Sequence, residues 1–114
     1  MPLLLVLPEV EAVGKVDDPT LRDIKRLSGE VLGKVSSDSY RQKLVFDLLN
    51  AVKAKDQNRF LWILLRAINA HSKDTSENVK KLSSVLMEVF PSSESDFEKI
   101  AYSIILGIMG GGRE

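Results

Sequence analysis

Cysteine is absent from the chain. That removes disulfides, thiolate metal sites and cysteine nucleophiles, and agrees with the expected cytoplasmic, reducing setting. Histidine occurs once, as His71 next to Ser72 at an expected helix end, where capping of the last carbonyls is its natural role. One histidine and no cysteine leave no converging ligand set, so no metal site is expected. The sequence holds no HExxH, P-loop, GxGxxG or EF-hand pattern, and its one glycine cluster, at 110–112, precedes no helix. No serine sits in a GxSxG elbow. With no catalytic residues, cofactor or small-molecule substrate implied, the chain reads as a non-enzyme. Long apolar runs are also missing. LLLVL at 3–7, between Pro2 and Pro8, is too short to span a bilayer and lacks the basic flank of a signal peptide. No membrane partner is expected.

What remains is a 114-residue chain, 44% hydrophobic and 28% charged, enough for one folded domain with one core. Its formal net charge is zero, unevenly spread. Residues 15–73 carry twelve Lys/Arg against seven Asp/Glu, while the stretches on either side are acidic. A basic middle with acidic ends can present a dipolar surface to a polyanion, or the charges can mix once folded.

Residues 1–16 read as an extended arm, 17–110 as a helical bundle and 111–114 as a flexible tail. The prolines deny LLLVL a helix. Its leucines (Leu3, Leu4, Leu5) must be covered, on the protein's own helices first or on a neighbouring subunit. Asp18-Pro19 marks a helix start, with Asp18 as N-cap. Leu21, Ile24, Leu27, Val31 and Val35 then recur at helical steps, with termination near Leu32 and Gly33. A second helix is predicted over 40–53, inward through Leu44, Val45, Leu48, Leu49 and Val52. A third, 56–73, carries the unbroken run FLWILL and is expected in the middle of the bundle. Asp74 with Glu77, and Ser95 with Glu98, have capping-box spacing for the fourth and fifth helices. The fourth would bury Val79, Leu82, Val85, Leu86 and Val89; the fifth Phe97, Ile100, Ala101, Ile104, Ile105 and Ile108. The fold class is all-α, a compact bundle of about five helices with a short extended N-terminal arm.

Phosphate recognition needs cations on a shared surface and no particular motif. Lys55, Arg59, Arg66 and Lys73 form one helical stripe with Trp62 and Asn69 among them. Arg22, Lys25 and Arg26 supply a second group, Arg41 and Lys43 a third, and Lys53 adds to the end of the second helix. Trp62 has two readings: stacking on an unpaired base, or filling protein core or interface. The second is preferred, so Trp62 joins the leucines of the arm as an expected protein contact. Arg59 and Arg66 have a plainer alternative too, pairing with Asp47, Asp56 or Glu88. A base-reading recognition helix fits poorly, because LWILL leaves few polar side chains for base edges.

RQKLVFDLLNAVKAKDQNRFLWILLRAINAHSK, followed by FEKIAYSIILGIMG, resembles the helical small-subunit module of type I CRISPR effector (Cascade) complexes, I-A-like. The resemblance covers roughly residues 40–110 and rests on the basic-aromatic helix RFLWILLRAINA and on the closing apolar helix. It implies a non-catalytic subunit that lines up beside copies of itself and other effector subunits. Such a subunit supports guide RNA paired to target DNA and holds the displaced strand by its backbone, in antiviral defence. It supplies no binding motif to map by residue, so the cations named above come from this sequence's own pattern. The alternative is a helical scaffold subunit with no nucleic-acid contact.

Overall fold

Four of the helices start where a side-chain oxygen accepts the backbone N–H three residues on. In the computed structural model, Asp17 Oδ1 takes Thr20 N–H at 3.0 Å, Ser37 Oγ takes Tyr40 N–H at 3.2 Å, Asp56 Oδ1 takes Arg59 N–H at 3.1 Å and Ser93 Oγ takes Asp96 N–H at 3.2 Å. These contacts satisfy donors that a helix leaves open at its first turn. The structure describes residues 16–33, 37–71 and 77–110, the side chain of His71 apart. Leu3, Leu4, Leu5, Lys73, Asp74, the expected arm up to residue 15 and the tail from 111 lie outside them.

The described residues form five helices and no strand: α1 (Asp18–Ser28), α2 (Asp38–Lys53), α3 (Gln57–His71), α4 (Glu77–Val89) and α5 (Glu94–Gly110). The all-α bundle is as the periodicity predicts. Two caps differ. The first is Asp17, in extended backbone, with Asp18 and Pro19 already inside the helix; Pro19 fits the second helical position because that N–H has no intrahelical partner either. The last is Ser93 and not Ser95, because it is Ser93 that takes the Asp96 N–H. α2 also begins two residues before Tyr40. After α1 the chain runs through one π-helical turn, Gly29–Gly33, and four of its five residues are buried.

α5 occupies the middle of the bundle, in place of the expected α3. It packs along α1 and the π turn and against α2, while α3 packs mainly on α2 and α4 lies against α1. Phe97, Ile100, Ala101, Ile104, Ile105, Gly107 and Ile108 of α5 are all buried. α3 buries Phe60, Leu64, Ala67 and Ile68, at steps of four, three and one; Leu61, Ile63 and Leu65 are half-buried. That spacing is one stripe of an amphipathic surface helix. Phe60 meets Phe97 edge-on at 5.4 Å between ring centres, with Phe90 at 6.2 Å and 6.1 Å from the two. This trio joins the start of α3 to the α4–α5 junction. Beside it, the Gln57 amide donates to Ser92 O at 2.7 Å and accepts Ser92 N–H at 3.0 Å.

Candidate nucleic-acid interface

The turn from α2 to α3 sets which side chains face each other. Lys55 N–H bonds Val52 O and Asp56 N–H bonds Ala51 O, both within 3.0 Å. Lys55 itself is left-handed, at φ 57°. These are the crossed bonds of a Schellman ending, completed by a residue other than glycine. The chain reverses at once, Asp56 caps the next helix, and α3 returns along α2.

Between the two helices lies an open groove of about 840 Å³. Tyr40, Lys43 and Asp47 line it from α2; Arg59, Trp62 and Arg66 line it from α3, over a floor that includes Leu44, Ile63 and Ala67. Arg59 and Arg66 are two helical turns apart, about 10 Å along the axis, with Trp62 between them. Trp62 is 60% exposed, so of its two protein-facing readings the core is corrected; it stands at the surface of this chain, where an interface contact stays open to it. The Arg66 guanidinium lies over its ring, 5.1 Å from the centre. A cation–π contact of this kind holds both groups in place at low entropic cost.

Neither guanidinium is ion-paired among the described residues; Asp56 bonds the backbone N–H of Arg59, and Asp47 pairs with Lys43 at 3.4 Å. The expected pairing of Arg59 and Arg66 with Asp47, Asp56 or Glu88 is therefore not what the structure has. The Lys43–Asp47 pair is exposed and holds its partners weakly. Three cations against one carboxylate make the groove electropositive, and the indole adds a flat π surface. Such a lining can attract an anion and offer a stacking face to a planar ring.

The other predicted cations go elsewhere. Arg41 Nη1 donates to Gly33 O at 2.7 Å and its other nitrogen bonds Asp38, so it ties the start of α2 to the π turn. Lys55 Nζ, in the α2–α3 turn, pairs with Glu94 at the start of α5 at 2.9 Å, and this hydrogen bond and charge raise its pKa above 10.5. Lys53 is exposed on the last turn of α2 but does not line the groove. Arg22, Lys25 and Arg26 are exposed on α1. Arg26 pairs with Asp23 at 3.5 Å and lines a second groove with Lys80 and Lys81 of α4, where Asp23 and Glu77 offset the charge. Sequence reasoning missed Tyr40 as a lining residue, although Tyr40, Lys43 and Asp47 recur at helical steps on one face of α2.

Among the described residues no cluster of three or more His, Asp or Glu could hold a metal ion, and no helix is long and apolar enough to cross a membrane. No protein-family model, curated protein or solved structure matches the chain.

Proposed function

We propose that this chain is a non-catalytic subunit that holds nucleic acid by its backbone in the α2–α3 groove. The observation that carries the reading is the grouping of Lys43, Arg59 and Arg66 around an exposed tryptophan. Lys and Arg on one surface neutralise successive phosphates whatever the sequence. An indole between them offers any unpaired base a stacking face. Half-buried Ile63 and buried Leu64 and Ala67 put the hydrophobic weight of α3 against the bundle, which leaves Arg59, Trp62 and Arg66 free for a ligand.

Membership of a type I CRISPR effector complex, beside copies of itself and the other subunits, is the fuller proposal; it rests on the resemblance of residues 40–110. Guide RNA and target DNA are then the nucleic acids, and several weak contacts in a row supply the grip that one neutral protein lacks. The scaffold reading draws on the apolar arm, the zero net charge and the exposed Trp62 as a protein contact, and the apolar side chains exposed on α2 and α5 add to it.

Trp62 is the one tryptophan of the chain, so its fluorescence reports on the groove directly. Titration with a short single-stranded oligonucleotide at low salt should quench it in a saturable way, and added salt should reverse the quench. Unchanged emission across the titration counts against nucleic acid in this groove. Purification from the native host tests the complex: effector subunits and guide RNA should accompany the chain, and their absence refutes that membership.

A further inference from the structure

Four of the six large hydrophobic side chains exposed among the described residues fall on one pair of helices. Phe46 of α2 is 63% exposed; Tyr102, Leu106 and Met109 of α5 are 48%, 54% and 60% exposed. The three on α5 are spaced four and three apart, so they share one stripe. Met109 and Phe46 line the same open groove of about 420 Å³, together with Val45 and Leu49; Gln42 and the Arg41–Asp38 ion pair form its polar end. α2 and α5 thus leave an apolar face uncovered, although α5 is the helix around which the rest is packed.

We propose that Leu3–Leu7, the segment LLLVL, docks on this α2–α5 face of its own chain. The segment is uncharged, apolar throughout and bracketed by Pro2 and Pro8, which suits an extended strip laid along a groove and not another helix. Reach permits the docking. Nine residue steps separate Leu7 from Val16, up to about 30 Å of extended chain. Gly107 stands against Lys25 and Gly29, so the end of α5 lies about 14–20 Å from Val16 along α1. Charge favours this face over the α2–α3 groove: its two charged residues, Arg41 and Asp38, neutralise each other, whereas the α2–α3 rim carries Lys43, Arg59 and Arg66 against Asp47 alone. Tethering favours the chain's own arm over a second copy: a short covalent connection gives an effective concentration in the millimolar range. A stable interface between copies would need some 20–30 residues a side, many more than this stripe offers.

The absence of cysteine makes the test clean. Met109→Cys places a single thiol on the face, and its rate of maleimide labelling in the full chain reads how well it is covered. Introducing Leu4→Asp and Leu5→Asp into that variant should raise the rate severalfold, at every protein concentration. A thiol placed at Lys80 (Lys80→Cys), on α4, should label at one rate with or without the arm substitutions. Equal Met109→Cys rates with and without the aspartates would overturn the proposal. So would a rate that falls as protein concentration rises, which assigns the face to a second copy. An equal acceleration at Lys80→Cys would also overturn it, since that shows loosening of the whole fold.

Discussion

Gly107 of α5 meets the carbonyl of Lys25 on α1 so closely that a Cβ at position 107 would sit 2.1 Å from that oxygen. The same atom would lie 3.0 Å from the Lys25 carbonyl carbon and 3.3 Å from Gly29 N. All three are backbone atoms that cannot swing aside. Gly107→Ala therefore has to push α1 and α5 apart, and overpacking of this kind costs about 1–3 kcal/mol. At Gly110, the far end of α5, an added Cβ would meet nothing within 4 Å, so Gly110→Ala should leave stability unchanged or slightly raised. Urea unfolding of the two variants side by side measures the contrast.

Gln57 ties the start of α3 to the segment before α5. Its amide makes both a donor and an acceptor bond with the Ser92 backbone, from a half-buried position. Gln57→Ala loses both, about 1–3 kcal/mol. Gln57→Glu keeps the acceptor and loses the donor, and should fall between the two. Denaturant midpoints for the three proteins give that order.

Trp62 and Phe60, two residues apart on α3, should differ sharply in what truncation costs. Phe60 is fully buried and touches two other rings, so Phe60→Ala should cost about 3–5 kcal/mol. Trp62→Ala removes an exposed ring and one cation–π contact, about 1 kcal/mol or less. Acrylamide should quench the native emission readily, as for any indole open to water.

Two exposed groups, Asp17 and Lys55, contribute to the pH dependence of the fold at the extremes. Hydrogen bonding from Thr20, side chain first and then backbone, lowers the Asp17 pKa from its ordinary 3.8. The stabilisation from this cap is complete above 3.8 and is lost as pH falls through the lower folded value. Asp17→Asn should keep the cap and remove that acid dependence. Lys55 has the opposite sign: its pKa is raised above 10.5 by Glu94, so its contribution is complete below 10.5 and is lost as pH rises through the folded value. Glu94→Gln should flatten the alkaline limb of a plot of Tm against pH.

Helical periodicity made the bundle legible in the sequence. Leu44 and Leu48, Leu82 and Leu86, and the isoleucines of α5 are buried where the spacing puts them. The order of the helices within the bundle was not legible. FLWILL reads as the more apolar run, yet α5 is central, because Gly107 lets it approach the α1 backbone and periodicity carries no information on close approach. The cations show the same limit. Helical spacing groups Arg59 with Arg66, but it cannot show that Lys43 faces them across a groove or that Arg41 is spent on Gly33 O. Those facts depend on the α2–α3 turn and the π turn, where single residues set the direction of the chain.

Salt dependence of binding to a labelled single-stranded oligonucleotide is the sharpest test of the α2–α3 groove. Each phosphate neutralised on a single strand contributes about −0.7 to the slope of log K against log salt. Substituting Lys43, Arg59 and Arg66 by glutamine should flatten the slope by about 2 and weaken binding at low salt, with the helical circular dichroism unchanged. Glutamine at Arg22 and Lys25 should leave the slope close to that of the native chain. A triple variant that binds with native affinity and native slope would contradict a nucleic-acid role for the groove.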